Sequence, residues 1–298
     1  MLVKTTTLIF LVLTVAVALI SAGCTQQQQQ VQTPTAAPAP TAMQPANTIG
    51  LTSSLMGTIL TDAQGKTLYY FANDVPASGT SACKGQCAVV WPAFSAGTIK
   101  VSSQLDPADF GSITRTDGTN QTTYYGWPLY YYQADTMPGD MKGDNVQNVW
   151  FVIKPDEPVM VARTPDLNLY LTDTSGKTLY YFTKDTRGAS ACNGTCLAKW
   201  PAFGADPVSA PSILVPSGFS TVSWADGVNQ TAYMGRPLYY YAGDMKPGDA
   251  NGQGFNSLWY VANVSGMTPV VTAVPTPVPT KVPTTVTTPV SYGGGGGY

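Results

Sequence analysis

The sequence contains no histidine, and this absence excludes several classes of catalytic and metal site. Without an imidazole the chain cannot build a Ser-His-Asp triad, a Cys-His nucleophile or a histidine-ligated zinc or haem site. Charged residues are scarce, at 11% with a net charge of −2, which favours neither nucleic acid nor an anionic membrane surface as a partner. Long amphipathic helical patterns are lacking as well, whereas 29 Gly, 24 Pro and 17 Tyr favour short strands joined by turns.

The first residues have the pattern of an export signal. Lys4 supplies a positive charge, and the apolar run from Leu8 to Ile20 is too short to span a bilayer comfortably. The run ends in ISAGC, which resembles a lipobox, the site at which a cysteine becomes the lipidated first residue of the mature protein. We therefore expect residues 1–23 to be a lipoprotein signal peptide and Cys24 to carry lipid, which places the protein outside the cytoplasm, lipid-anchored to the cell membrane. A plain secretory signal with an incidental cysteine, or an uncleaved anchor, is the alternative.

The other four cysteines form two local pairs, in CKGQC and CNGTC. An oxidising exterior allows such pairs to become disulfides, and the intervening glycines permit a tight turn. We expect the disulfides Cys83–Cys87 and Cys192–Cys196, each closing a short loop and contributing roughly 2 kcal/mol on the chain-entropy estimate. The alternative is a redox-active dithiol, although the spacing is not Cys-x-x-Cys and no histidine can lower a thiol pKa.

The central part of the chain contains an internal duplication. Residues 60–74, LTDAQGKTLYYFAND, return at 171–185 as LTDTSGKTLYYFTKD. Three further pairs of segments repeat in the same order: 81–94 and 190–203, 117–135 and 226–244, and 138–152 and 247–261. We therefore expect two homologous domains, at 47–155 and 158–263. Each domain contains two half-repeats, because a strand, a turn, an aromatic strand, an Asp and a Trp occur twice within it.

The pattern predicts an all-β fold, with two tandem small domains resembling a β-sandwich or barrel. Hairpins are expected around the AQG turn after Asp62 and around the DGTN turn, and only the region of CKGQC fits a helical turn. On either side lie a Gln/Pro/Thr-rich linker, 24–46, and a Pro/Thr/Gly-rich tail, 264–298. Both tracts lack apolar periodicity, so we expect them to be disordered.

An aromatic motif, Tyr-x-aromatic-x-x-Asp, occurs four times. The copies are Tyr69, Phe71 and Asp74; Tyr130, Tyr132 and Asp135; Tyr180, Phe182 and Asp185; and Tyr239, Tyr241 and Asp244. Successive side chains on a strand point to opposite faces, so a run of three aromatics fills both faces. We expect the aromatics to pack in the core and each Asp to organise the turn that follows. The alternative is an exposed aromatic platform for sugar rings or another flat ligand, which Tyr-to-Ala changes at Tyr131 and Tyr240 would test.

The remaining polar motifs are weaker. Asp140 and Asp144 suggest a calcium loop, but the second repeat has Gln253 in place of Asp144 and no EF-hand pattern is present, so we expect no metal site and no cofactor. Asn-x-Ser/Thr sequences make four residues candidate glycosylation acceptors: Asn120, Asn193, Asn229 and Asn263.

Together these elements resemble a family of secreted lipoprotein repeats that carry a Yx(F/W/Y)xxD motif and are described as secreted repeats of unknown function. The matching positions are the four motif copies, with the Cys-x-Gly-x-Cys…Trp-Pro stretches, and they cover about residues 57–262. The resemblance implies an exported, often lipid-anchored protein and brings no catalytic residues with it.

We therefore expect a non-enzymatic cell-surface protein with a binding or envelope-structural role. Its expected partners are the membrane, through the lipid anchor, and a surface polysaccharide or an envelope protein, with no nucleic acid. Two alternatives remain open: binding of carbohydrate or another small ligand through the Tyr-rich strands, and extracytoplasmic thiol–disulfide redox chemistry through the cysteine pairs.

Overall fold

The computed structural model describes residues 48–205, 209–224, 227 and 229–265, which belong to one compact unit. The predicted signal peptide, Cys24 and the 24–46 linker lie outside the described residues, as does the predicted tail beyond Ser265. Within the described residues, no helix is both long enough and apolar enough to cross a bilayer.

The two repeats contain the same strands and α-helices in the same order. The first repeat has β1 (Ile49–Ser54), β2 (Gly57–Asp62), β3 (Tyr69–Phe71), α1 (Gln86–Val90), β4 (Phe110–Thr114), β5 (Asn120–Tyr124), β6 (Trp127–Pro128) and β7 (Trp150–Val152). The second has β8 (Val159–Thr164), β9 (Asn168–Asp173), β10 (Tyr180–Phe182), α2 (Thr195–Lys199), β11 (Phe219–Ser223), β12 (Asn229–Tyr233), β13 (Arg236–Pro237) and β14 (Trp259–Val261). Single 3₁₀ turns occupy Pro107–Asp109, Val146–Asn148 and Pro216–Gly218.

The strands pair as small antiparallel sheets. In the first repeat β1 pairs with β2, β3 with β7, and β4, β5 and β6 form a three-stranded sheet. The second repeat reproduces this arrangement with β8–β9, β10–β14 and β11–β12–β13. The all-β prediction is confirmed, and the cores are built between small sheets, since no sheet closes into a barrel in the described part of the chain.

The turn after β2 forms where the sequence predicts it. The Asp62 carboxylate accepts hydrogen bonds from the backbone N–H groups of Gln64 (2.8 Å) and Lys66 (2.9 Å), and Gly65 has a φ of 78°, a value that favours glycine. An Asp-Gly turn joins β4 and β5 in the same manner. The predicted hairpin forms next to this turn, where Thr61 bridges Thr67 and the N–H of Leu68 donates to the carbonyl oxygen of Leu60 at 3.0 Å, but β3 does not continue it. It leaves β2 and pairs with β7, which places its aromatic side chains between the two half-repeats.

The aromatic strand β3 lies at the centre of the first repeat. Tyr69, Tyr70 and Phe71 are all buried, and so is Leu68 before them. The corresponding residues of β10 are buried in the second repeat. Because consecutive side chains point to opposite faces, burial of all three requires that both faces of the strand be covered. The prediction that the aromatic run belongs to the core is confirmed.

The two repeats contact each other through β8 and the turn after β9. The indole Nε1–H of Trp127 donates to the carbonyl oxygen of Thr174 at 2.9 Å, and the N–H of Val161 donates to the hydroxyl oxygen of Tyr70 at 3.2 Å. Trp127 and Tyr70 are fully buried. The face of the first repeat that carries these rings is thus covered by the second repeat.

The segment between the repeats contains a buried ion pair. Lys154 Nζ lies 2.6 Å from Glu157 Oε1 and donates to the carbonyl oxygen of Ala210 at 2.7 Å. Burial raises the pKa of Glu157 to about 8, while the ammonium of Lys154 favours the ionised carboxylate. The connection between the repeats is therefore part of the packed structure.

Candidate functional site

The Tyr and Asp of the repeated motif form reciprocal pairs across the two half-repeats. The Tyr69 hydroxyl donates to Asp135 Oδ2 at 2.7 Å, and the Tyr130 hydroxyl donates to Asp74 Oδ2 at 2.6 Å. The same two tyrosines exchange backbone hydrogen bonds, each N–H donating to the other carbonyl oxygen at 2.9 Å. Each motif therefore supplies a tyrosine to the aspartate of the other motif, about a local two-fold axis between Tyr69 and Tyr130.

The second carboxylate oxygen of each aspartate holds the loop that follows it. Asp74 Oδ1 accepts from the N–H of Ala82 at 2.6 Å, and Asp135 Oδ1 accepts from the N–H of Lys142 at 3.0 Å. This is the turn-organising role expected from the sequence. The hydrogen bond from a tyrosine to each aspartate was not expected, because the tyrosine lies in the other half-repeat. The equal spacing of Tyr and Asp in the two motif copies is the only sequence signal that could have suggested it.

The second repeat has the same pairs. Tyr180 donates to Asp244 Oδ2 at 2.6 Å, and Tyr239 donates to Asp185 Oδ2 at 2.8 Å. The other oxygens of these carboxylates accept from backbone N–H groups at 2.9 Å and 2.7 Å respectively. Because the same Tyr–Asp pairs occur in both repeats, we interpret the motif as a structural element that joins the half-repeats.

Burial changes the proton affinities of the paired groups. It raises the pKa of Asp74 to about 6, although the Tyr130 hydroxyl, the Ala82 N–H and the Arg115 guanidinium all favour the carboxylate. Burial, with the neighbouring carboxylates, raises the pKa of Tyr69 and of Tyr130 far above the usual range, so both hydroxyls keep their protons and act as donors. Asp74 is buried, with both of its oxygens engaged.

The third motif position contributes to a stack of four rings. Phe71 stacks on Trp150 with ring centroids 4.1 Å apart, Trp150 stacks on Trp91 at 3.8 Å, and Trp91 stacks on Tyr132 at 4.3 Å. The two outer rings are the motif aromatics of the two half-repeats, and the inner pair is one tryptophan from each half. The second repeat builds the corresponding array from Phe182, Trp259, Trp200 and Tyr241, with the Tyr241 ring tilted by 33° from Trp200.

Tyr131 and Tyr240, the rings considered for a ligand platform, are partly buried. The Tyr131 hydroxyl donates to Asp62 Oδ2 at 2.8 Å, and Lys66 Nζ lies 5.1 Å from the centre of its ring. Tyr240 has the corresponding contact with Asp173 Oδ2 at 3.1 Å and lines a cavity of about 210 Å³. Both hydroxyls are thus engaged within the protein.

The structure contains both disulfides, Cys83–Cys87 and Cys192–Cys196. Cys83 and Cys192 are buried, whereas their partners are partly buried in the short helices α1 and α2. In the first repeat Arg115 donates to the carbonyl oxygen of Cys83 and, at 2.9 Å, to Ser81 Oγ. The disulfide loop is therefore held from both sides, by Asp74 and by Arg115.

The carboxylates considered for calcium serve local turns. Asp140 Oδ2 accepts from the N–H groups of Thr136 (2.9 Å) and Met137 (3.0 Å), and Asp144 Oδ1 accepts from Val152 N–H at 3.0 Å. In the residues that the structure describes, no group of three or more His, Cys, Asp or Glu side chains is arranged to hold a metal ion.

The four glycosylation candidates differ in accessibility. Asn120, Asn193 and Asn229 are exposed, whereas Asn263 is buried. The first three positions are accessible to a glycosylating enzyme in the folded protein, whereas Asn263 is only 4% exposed.

A cleft between the two repeats has a volume of about 580 Å³. Its apolar walls include Phe71, Val149, Leu167 and Ile213, and Arg163 is the single charged side chain that the described residues contribute. Its polar walls come from both repeats and consist of amides and one hydroxyl: Asn73, Gln147, Asn148, Asn168, Asn263 and Ser265. The side-chain oxygen of Asn73 is buried and has no hydrogen-bond partner within the described residues. Sequence reasoning missed this cleft, because its walls come from segments far apart in the chain.

The geometry defines a tandem β-repeat protein in which the Tyr and Asp of the repeated motif join the half-repeats. The chain belongs to the family described as secreted repeat of unknown function, which it matches four times, over residues 51–95, 111–154, 169–203 and 220–263, together more than half of the chain. The family resemblance and the half-repeats are thereby confirmed, and the description of the family as secreted supports a location outside the cytoplasm. Neither the curated proteins nor the solved structures gave a significant match.

Proposed function

We propose that this protein is an exported, lipid-anchored binding protein of the cell surface, without catalytic activity, and that its inter-repeat cleft binds a saccharide of the cell envelope. The observation that carries the proposal is the composition of the cleft, in which side-chain amides and a hydroxyl alternate with apolar walls. Such walls suit a ligand that presents both hydroxyl groups and C–H faces. Amides offer donors and acceptors together, so they match sugar hydroxyls without a requirement for charge.

The electrostatics of the cleft support a neutral or weakly acidic sugar. Among the residues that the structure describes, Arg163 is the one charged residue in the walls, and no carboxylate lies among them. Within the described residues the buried amide oxygen of Asn73 has no hydrogen-bond partner, and an unsatisfied buried acceptor is costly. Both features favour a ligand that is rich in hydroxyl groups.

The motif residues themselves support a non-catalytic role. The Tyr–Asp pairs are mutually hydrogen bonded, and their remaining carboxylate oxygens accept backbone N–H groups. A general base must reach a substrate proton, and these carboxylates are occupied by the protein. The motif aromatics are likewise engaged in the ring stacks.

Binding is tested with a glycan array followed by calorimetry on the full chain. We expect Asn73→Leu and Arg163→Gln to weaken binding at least tenfold, and Tyr131→Ala with Tyr240→Ala to leave it unchanged. The opposite pattern would assign binding to the Tyr strands and overturn the cleft as the site. No binding to any envelope saccharide would overturn the saccharide proposal itself.

The lipid anchor is tested separately through Cys24. We expect the wild-type protein to partition into detergent and membrane fractions, and a Cys24→Ser variant to appear in the aqueous phase. Equal membrane retention of both proteins would refute lipidation at this position.

A further inference from the structure

The core of the first repeat joins two tyrosine–aspartate pairs to a pair of stacked indoles. The Trp91 and Trp150 rings are 3.8 Å apart and nearly parallel, with an interplanar angle of 3°. The Tyr69 ring lies edge-on to Trp91 at 5.5 Å, and the Tyr130 ring lies edge-on to Trp150 at 5.1 Å. Tyrosine and tryptophan are the aromatic side chains that lose an electron most readily. The four rings therefore form a continuous set of oxidisable groups in contact with one another.

Each of these tyrosines also has a proton acceptor in place. Its hydroxyl donates to a buried carboxylate, Tyr69 to Asp135 at 2.7 Å and Tyr130 to Asp74 at 2.6 Å. A tyrosine that loses an electron becomes a strong acid, so its oxidation is easiest when a base takes the hydroxyl proton at the same time. Such a transfer needs a heavy-atom distance of about 2.6–3.2 Å, which both pairs provide. Burial raises the pKa of both aspartates, to about 6 for Asp74, and this strengthens them as proton acceptors.

One further oxidisable ring connects this group to the surface. Tyr132 is partly exposed and stacks on Trp91 at 4.3 Å, whereas the four inner rings are buried. At the opposite end of the stack the outer ring is Phe71, which is buried and is much harder to oxidise. Electron transfer between packed rings needs no open channel, so an oxidant that meets Tyr132 can draw an electron from the interior. We refer to Tyr132 and the four inner rings as the ring array.

The second repeat contains the same arrangement. Its two indoles stack at 3.8 Å, and its two buried tyrosines lie edge-on to them at 5.4 Å and 5.1 Å. Both hydroxyls donate to carboxylates, at 2.6 Å and 2.8 Å. The residues are Trp200, Trp259, Tyr180, Tyr239, Asp244 and Asp185. The partly exposed outer ring is again a tyrosine, Tyr241, and the buried outer ring is again a phenylalanine, Phe182. Both repeats thus place an oxidisable ring at the end of the stack that faces the solvent.

We propose that each ring array is a one-electron relay, which reduces radical oxidants at the protein surface and holds the oxidising equivalent on a buried tyrosine. The oxidant class is an organic peroxyl radical, which gains one electron from the array and one proton from the solvent and becomes a hydroperoxide. In the first repeat the O–H bond of Tyr69 or Tyr130 breaks, the proton passes to the paired aspartate, and a neutral tyrosyl radical remains.

A quinol completes the cycle. It returns one electron to the tyrosyl radical, loses one proton to the solvent and becomes a semiquinone, while the aspartate gives its proton back to the tyrosine. This activity does not depend on saccharide binding, because the walls of the cleft and the ring array are different groups.

Flash photolysis of tris(bipyridine)ruthenium(II), with a cobalt(III) ammine as the electron acceptor, tests the relay on the full chain carrying Cys24→Ser. Transient absorption separates tryptophan radicals from tyrosyl radicals. We expect the tryptophan signal to convert into a tyrosyl signal, at least twofold more slowly in D₂O because the hydroxyl proton moves with the electron. The double variant Tyr69→Phe, Tyr130→Phe should lose about half of the tyrosyl signal, since the second repeat keeps its own pairs. Circular dichroism checks that this variant is folded.

Tyr132→Phe is a second variant, which keeps a ring in the stack and decides the question if the double variant does not fold. About half of the tyrosyl signal should then form at least tenfold more slowly. Tyr260→Phe is the matched control, because Tyr260 is also partly exposed but its ring, 6.0 Å from that of Tyr181, lies outside both arrays. It should change neither the yield nor the rate.

Three results would overturn the relay: a wild-type tyrosyl yield in the folded double variant, an equal loss of yield in the Tyr260→Phe control, or equal rates in H₂O and D₂O. Peroxyl radicals from a thermal azo initiator test the class of oxidant. In competition with a fluorescent indicator of these radicals, the wild-type chain should protect the indicator about twice as well as the double variant. Equal protection by the two proteins would overturn the assignment of the oxidant.

Discussion

Replacing Tyr130 by Phe tests whether the reciprocal pairs stabilise the repeat. The change keeps the ring and its edge contact with Trp150, and removes only the hydroxyl that donates to Asp74 at 2.6 Å and lies 2.7 Å from Ser81 Oγ. Asp74 is buried, so water cannot readily replace the lost donor. Hydrogen bonds to charged groups contribute about 1.5–3 kcal/mol, and we expect a loss of about 2 kcal/mol in the free energy of unfolding near neutral pH.

The loss should depend on pH because the hydroxyl favours the ionised form of Asp74. The folded pKa is raised from 3.8 to about 6, so this carboxyl contributes stability that is complete below 3.8 and is lost as pH rises through 6. The full loss corresponds to about 3 kcal/mol in the wild-type protein. Removing the hydroxyl raises the folded pKa further. We therefore expect the deficit of the variant near pH 4, where Asp74 is protonated in the folded protein, to be about half of that near pH 7.5.

Urea denaturation at both pH values measures the deficits, and carbon-13 NMR titration of Asp74 measures the pKa directly. Tyr131→Phe is the matched control at the next residue, because Tyr131 is only partly buried and water can take the place of its hydroxyl on Asp62. We expect this control to cost less than about 1 kcal/mol. Equal costs for the two variants, or a Tyr130→Phe deficit that is the same at both pH values, would refute the reasoning.

Three further changes test other parts of the fold. Gly143→Ala places a methyl group 2.8–2.9 Å from two aromatic rings and should lower the free energy of unfolding by about 1–3 kcal/mol, measured by thermal denaturation. Gly50→Ala is the control, because its nearest atom lies at 3.8 Å, and should cost less than about 1 kcal/mol. Similar costs for the two variants would contradict the packing argument. Trp150→Ala removes an inner ring of the four-ring stack and should lower the free energy of unfolding by about 3–5 kcal/mol. The near-ultraviolet circular dichroism of the stacked indoles should be lost with it. An unchanged spectrum would count against the stack. The double variant Cys83→Ser, Cys87→Ser should lower the free energy of unfolding by about 2 kcal/mol. Thiol titration of the native wild-type chain should find neither cysteine reactive. Ready titration would instead support redox chemistry.

Local patterns in the sequence predicted the elements of this fold well. The turn after β2 follows from Asp62 and Gly65, because an Asp carboxylate can accept the N–H groups of its own turn and glycine tolerates a positive φ. The disulfides follow from cysteines four residues apart on either side of a glycine. Each of these features depends on residues within one short segment, so the sequence alone is sufficient to identify it.

Pairing between distant segments was not predictable in the same way. The sequence indicated that β3 is buried, but not that it leaves β2 for β7, since alternation along a strand does not specify its neighbour. It indicated an organising role for Asp74, but not the hydroxyl of Tyr130, which is 56 residues away. The cleft could not be predicted either, because the side-chain amides in its walls lie on segments of both repeats that are far apart in the chain.

The sequence by itself determined the strand class, the duplication, the disulfide loops and the membership of a secreted repeat family, because all of these are written in spacing and local composition. Only the tertiary structure decided what the repeated motif is for. The close packing of two similar half-repeats brings each tyrosine to the aspartate of the other and each tryptophan onto its counterpart. A buried carboxylate requires a donor, and the local symmetry of the half-repeats supplies one from the opposite copy of the same motif.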